Sequence, residues 1–353
     1  MTQLTPNHRP DTPPTEDFTR EEVRLRRYFL RQQVPVPDAD RELEQLYRKR
    51  RSQLVRRTAV WGSVAALIAL AVWLVPSLVG RQAQQVVHTA PAVDAVTLQT
   101  ARGERLTIGS ADGDDALHTL GATLDDGGSR LAYDDRSATP VQMQVLSTPA
   151  RRTFHVTLSD GTEVWLNAGS RLTYPNRFTD GGRTVELEGE AYFRVAKDAA
   201  RPFTVKSGTL STRVLGTEFN VRRYASSDTH VTLLEGSVEV QAGTAPAVRI
   251  APGQDASPSA DGTWRVTDVD TDIYCAWRKG LFYFDHVPLR EVLCELGRWY
   301  DRDVWFDPSA DTDAEVFFTA RRTDLLEDIV SLLNSLHKAH IRIGEDAILV
   351  SKQ

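Results

Sequence analysis

The residues from Thr58 to Gly80, TAVWGSVAALIALAVWLVPSLVG, contain no Asp, Glu, Lys or Arg, and no other uncharged window in the chain is as long. As a helix, roughly 23 residues at about 1.5 Å each reach about 34 Å, enough to cross a hydrocarbon core of about 30 Å. Pro76 falls near the far end, where a missing hydrogen bond is tolerated, and Trp61 and Trp73 are placed for the two interfaces. The flanks are unequal. Arg48, Lys49, Arg50, Arg51, Arg56 and Arg57 crowd the N-terminal side, whereas only Arg81 precedes Arg102 on the other. Basic residues resist translocation, so one transmembrane helix over 58–80 is predicted, N-terminus cytoplasmic and C-terminus across the membrane. A cleaved signal peptide would have a shorter apolar core nearer the start. A buried core helix would leave the charge asymmetry without a cause.

Splitting the charge at this window is informative. Residues 1–57 carry a net +4 and the remainder a net −10. Anionic lipid accounts for the basic cluster, and an acidic outer part argues against nucleic-acid binding there. Only Cys275 and Cys294 occur. An oxidising compartment permits a bridge between them, but two cysteines are slight evidence for one, and Cys294 also reads as a small apolar helix residue.

Residues 1–15, rich in Pro and Thr, read as a disordered tail. Two helical stretches follow, 16–31 and 38–54, separated by VPVPD. Val23, Tyr28 and Phe29 mark the apolar side of the first, and Leu43, Leu46 and Tyr47 one face of the second. Such a 1–57 segment is too small to bury a core alone and is expected to complete its fold on a partner. Residues 81–92 read as a polar, extended exit from the membrane.

After residue 92, within a juxtamembrane β region of 81–145, the pattern turns to period two, with Asp112 to Asp115 and Asp125 to Ser129 read as turns rather than calcium loops, since EF-hand spacing is missing. VTLQTARGERLTI (96–108) echoes VTLSDGTEVWL (156–166), each a strand, a glycine turn and a strand. Short strands continue through 146–270, predicting an all-β domain, sandwich or solenoid. Residues 276–353 then read as a small α/β domain of two β-α-β units. Leu281 to Phe284, a helix with Leu289, Val292, Leu293, Leu296 and Trp299 on one face, and Val304 to Phe306 form the first. Val316 to Thr319, a helix from Asp324, Ile341 to Ile343 and Ile348 to Val350 form the second.

Catalytic and metal signatures do not emerge. His337 and His340 have no partners in sequence to complete a metal set, and phosphate loops, nucleophile elbows and zinc-protease motifs are not found. No cofactor is expected. Glu186, Glu188 and Glu190 alternate along one strand and read as a solvated face rather than a glycosidase pair. Trp165, Tyr192, Phe193, Trp277 and Trp299 read as core rather than a sugar platform.

LSDGTEVWLNAGSRLTYP (158–175), VELEGEAYFRVAKDAARPFTV (185–205), VLGTEFNVRRY (214–224), TLLEGSVEV (232–240) and APGQDA (251–256) resemble the periplasmic domain of FecR-type anti-sigma regulators. AWRKGLFYFDHVPLREVLCELGRWYD (276–301) resembles the C-terminal domain of the branch paired with SusC-type TonB-dependent transporters. The resemblance implies a non-enzymatic, single-pass inner-membrane relay. Its periplasmic part would sense the N-terminal signalling domain of an outer-membrane transporter, and residues 1–57 would hold an ECF sigma factor, controlling nutrient-uptake genes. It also implies a secretin/TonB short N-terminal-like fold for the last domain and regulated proteolysis by an intramembrane protease. The candidate partner surface is Leu281, Phe282, Tyr283, Phe284, Val316, Phe317, Phe318 and Thr319, as strand edges open to a further strand. The candidate sigma-factor contacts are Val23, Tyr28, Phe29, Leu43, Leu46 and Tyr47. A membrane-anchored carbohydrate-binding module or enzyme is the alternative.

Overall fold

A computed structural model describes Arg24 and residues 85–87, 94–133, 139–179, 181–225, 229–259 and 263–353. The chain divides into two units, Met1–Arg81 and Gln82–Gln353, and the described strands belong to the second. The window 58–80 and the six candidate sigma-factor contacts lie outside the described residues. Among the described residues no helix is long and apolar enough to cross a membrane.

A three-residue strand, β1 (Gln85–Val87), comes first. The β body then begins with β2 (Thr97–Thr100), β3 (Arg105–Thr107), helix α1 (Ala111–Thr119), β4 (Ala122–Asp125), β5 (Arg130–Tyr133) and β6 (Met143–Ser147). It continues through β7 (Phe154–Thr157), β8 (Glu163–Leu166), β9 (Arg171–Pro175), β10 (Arg183–Arg194), β11 (Phe203–Ser207), β12 (Leu210–Val214) and β13 (Glu218–Arg223). Strands β14 (His230–Glu235), β15 (Val238–Ala242), β16 (Val248–Ile250), β17 (Gln254–Pro258) and β18 (Trp264–Asp268) complete it. One sheet runs β3-β2-β6-β9-β10-β11-β12-β15-β16, the other β4-β5-β7-β8-β10-β13-β14-β17-β18. Strand β10 belongs to both. Between them lies one apolar core that includes residues from Val96 to Ala256, so strands before and after residue 145 bury their side chains together. Phe193 and Phe219 stack at 5.1 Å near its middle, an arrangement worth about 0.5–1.5 kcal/mol beyond the area buried.

Both sequence echoes are antiparallel hairpins, β2–β3 and β7–β8. Gly161 takes φ +82 at the tip of the second, where a side chain would be strained. The run Asp112 to Asp115, read as a turn, instead forms the beginning of α1. Ser110 caps that helix by accepting from the Gly113 amide, and Asp112 and Asp114 stand near its positive end.

After β18 a short helix α2 (Thr271–Tyr274) and a 3-10 turn (Ala276–Lys279) lead into the α/β domain. It contains β19 (Leu281–Pro288), α3 (Leu289–Tyr300), β20 (Asp303–Phe306), β21 (Glu315–Arg321), α4 (Leu326–Ser335), β22 (His340–Ile343) and β23 (Ala347–Ser351). Two β-α-β units are present, as the periodicities predict, but they interlock. The first strands pair with each other, β19 with β21. The return strands form a separate sheet ordered β1-β20-β23-β22. The segment read as an extended exit therefore supplies an edge strand to a domain that follows it by about two hundred residues.

Candidate functional site

The feature that stands out is where the β body meets the α/β domain. Strand β10 runs through Gly189 without ending, at φ +104. This turn in the backbone moves the chain from one sheet to the other and breaks the side-chain alternation. Glu186 and Glu188 are exposed, as a solvated face predicts, but Glu190 is 3% exposed. That glutamate corrects the expectation of three solvated carboxylates.

Asn167 and Asn220 each donate an amide to Glu190, at 2.7 and 2.9 Å. From the other domain, Arg322 donates to the Asn167 side-chain oxygen at 2.7 Å and to Glu295 on α3 at 2.9 Å. Arg222 on β13 reaches Glu295 at 3.4 Å and Glu291 at 3.6 Å. Arg298, also on α3 and buried, lies 3.8 Å over the Tyr224 ring. Trp299 donates its indole N–H to the Arg322 carbonyl. Helix α3 thus buries two faces, Leu289, Val292, Leu293 and Leu296 within its own domain and Glu295 and Arg298 at the junction, with Glu291 half-buried beside them.

The charges tune one another. Burial raises the Glu190 carboxyl, and Arg222 offsets this only in part. Burial also pushes Glu295 up, but Arg222, Arg322 and Arg298 together outweigh it and hold that carboxyl below its usual range. Tyr224, buried beside Glu190, is pushed up to about 12. Breaking such a buried pair typically costs about 3–5 kcal/mol, because the remaining charge stays out of water. The cluster therefore holds the two domains in one arrangement.

A cleft of about 550 Å³ opens along this junction, lined among others by Arg222, His230, Tyr274, Tyr283 and Glu291. At its wall His230 meets Asp255 at 2.8 Å, and Thr232 donates to the same carboxylate at 2.7 Å. Burial lowers the His230 ring, but Asp255 outweighs it, so the net shift is upward, with Arg222 opposing and Glu291 assisting. A raised imidazole stabilises the fold fully below its unfolded value of 6.5 and loses that contribution as pH rises through the folded value. Urea unfolding from about pH 6 upward is expected to show this loss, and His230→Gln is expected to flatten it.

The candidate partner strands sit as follows. Phe282, Phe284, Val316 and Phe318 point into the core. Tyr283, Phe317 and Thr319 face outward, with Tyr283 and Phe317 packed edge to face at 6.1 Å and Phe317 60% exposed. Leu281 is half-buried. Among the aromatics read as core, Tyr192, Phe193 and Trp277 are buried, and Trp299 and Trp165 partly so. The Trp165 ring is stacked by His155 and lies under Arg278. Cys275 and Cys294 are both free and buried, so no bridge joins them.

Among the described residues no group of His, Cys, Asp and Glu is arranged to hold a metal ion. Buried charges thus lock a β body to a small α/β domain on which Phe317 stands exposed. Residues 144–239 match the family model described as FecR protein, and residues 281–350 match that of the FecR C-terminal domain. Two crystal structures of a candidate anti-sigma factor from Parabacteroides distasonis, at 1.65 and 2.50 Å, are each 30% identical with a TM-score of 0.56. The alignments cover 59% and 60% of this chain and 99% of theirs. No curated protein matches the chain. The chain belongs to the FecR family of anti-sigma factors, a regulatory and non-enzymatic family whose partner class is the sigma factor.

Proposed function

We propose that the chain is a single-span inner-membrane relay that carries a signal from a TonB-dependent outer-membrane transporter to a cytoplasmic ECF sigma factor. The observation that carries this reading is one of order. Both FecR matches, 144–239 and 281–350, fall on the C-terminal side of the uncharged window 58–80, whose basic flank lies on the N-terminal side. A sensor outside and a short sigma-factor-binding segment inside follow from that order.

In this reading the outward residues Tyr283, Phe317 and Thr319 meet the transporter's signalling domain, and residues 1–57 hold the sigma factor until an intramembrane protease releases them. The full chain is expected to recover one ECF sigma factor on pull-down, and a chain lacking residues 1–57 to recover none. An alkaline phosphatase fused after Gln353 is expected to be active. Loss of the pull-down, or a fusion active only as a cytoplasmic reporter, sinks the relay.

A further inference from the structure

Strand β1 covers an edge that the rest of the α/β domain leaves open. It pairs antiparallel with β20 through Gln85 opposite Phe306, Val86 opposite Trp305 and Val87 opposite Val304. On its other side β20 is held by four parallel pairs with β23, in which Val304, Phe306, Ile348 and Val350 are all buried. By contrast, Gln85 and Val86 are exposed and only Val87 packs partly against the core. An open edge with buried residues behind it is a template for another strand, and this one is closed by three residues.

The contacts of β1 also define what fits there. Val87 occupies an apolar position beside Val304. Two residues earlier, on the same face, Gln85 accepts from Arg290 at 3.0 Å, and that guanidinium lies 4.8 Å over Phe306. A cavity of about 380 Å³ continues from this contact past Asp307 and Thr312. A neutral amide is a modest partner for arginine. A carboxylate at the same place would make a charge-assisted bond roughly twice as strong.

We propose that β1 is an exchangeable strand: the β20 edge is an acceptor surface kept closed by the chain's own 85–87 segment, and a partner strand bearing an acidic residue two positions before an aliphatic one displaces it. Strand addition of this kind takes affinity from main-chain hydrogen bonds and selectivity from alternate side chains. In the single-span reading β1 begins five residues past Gly80 in sequence. Displacement would then release the α/β domain from the point where the chain leaves the membrane. That consequence rests on the single-span reading; the strand exchange does not.

The test uses the full chain in detergent and a fluorescent peptide of residues 82–90 carrying Gln85→Glu. Val86 and Trp305 are directly opposed, so their Cα atoms fall at about 4.5–5.5 Å, within disulfide reach. Cys275 and Cys294 are buried and do not compete. The V86C/W305C protein is expected to cross-link on oxidation, to bind the peptide when reduced and to bind it at least tenfold more weakly when oxidised. Val87→Asp, which puts a charge against the core, is expected to tighten peptide binding about tenfold over the unsubstituted chain. The proposal is overturned if the cross-link does not form, if the reduced protein binds no peptide, or if oxidised and reduced proteins bind equally. None of these readouts depends on a transporter, a sigma factor or a membrane orientation.

Discussion

Gly189→Ala is expected to destabilise the protein by about 2–6 kcal/mol, although it adds one methyl group. Two causes combine. At φ +104 a Cβ is strained wherever it points, at about 1–3 kcal/mol. Here it would also stand 2.6 Å from the Ser170 hydroxyl and 2.8 Å from the Ser170 Cα, and forced overpacking adds about 1–3 kcal/mol. Backbone has to move, and Ser170 is not free to do so. Its hydroxyl donates to the Glu190 carbonyl at 3.0 Å and accepts from the Glu190 amide at 2.9 Å. Gly161→Ala is the control, at φ +82 with nothing within 4 Å of the new atom. It is expected to show the backbone cost alone. Urea unfolding of both variants checks the difference, and equal losses would mean that the close approach to Ser170 is unimportant.

Arg322→Met is expected to cost about 3–5 kcal/mol, which is a large part of the roughly 5–15 kcal/mol that holds a domain folded. The side chain is 3% exposed and bonds Glu295 and Asn167 together. Methionine fills much of the space, but it leaves Glu295 buried with less positive charge beside it. The pH dependence should change in a defined sense. A carboxyl held low contributes stability above its unfolded value of 4.5 and loses it as pH falls through the folded value. Without Arg322 the Glu295 carboxyl rises, so acid unfolding should begin at higher pH than in the unsubstituted protein. Adding Glu295→Gln should recover part of the loss, because the uncompensated charge is gone. A double variant no more stable than Arg322→Met would show that the pairing is not what the arginine supplies.

Much of the architecture was legible in the sequence because it follows from local periodicity. Leu281 to Phe284, Val304 to Phe306 and Val316 to Phe318 are dense apolar runs, and their strands lie where the runs are. The Leu289, Val292, Leu293 and Leu296 stripe predicted the buried side of α3. The hairpin at 156–166 followed from Asp160 and Gly161. The run at Asp112 to Asp115 misled, because acidic residues suit a turn and a helix N-terminus equally, and the Ser110 cap decides between them.

The junction was hidden for a different reason. Glu291, Glu295 and Arg298 have the spacing and charge of a solvated helix face, and Glu190 continues an alternation that exposes Glu186 and Glu188. A charge in water and a charge buried against an opposite one look alike in sequence. One signal was present: Gly189 inside an otherwise regular strand, which often marks a local change of direction. Strand β1 offered less, since three polar-to-aliphatic residues carry no measurable period.

What the sequence alone determined was most of the strands and the two α/β helices, the two FecR-like regions and the uncharged window before them. These depend on short-range patterns of apolar and charged residues. What only the tertiary structure decided was which charges are buried, that β10 serves two sheets, and that residues 85–87 close a sheet formed more than two hundred residues later. Those are pairings between distant parts of the chain, and their free energy comes from removing both partners from water together, which no local pattern records.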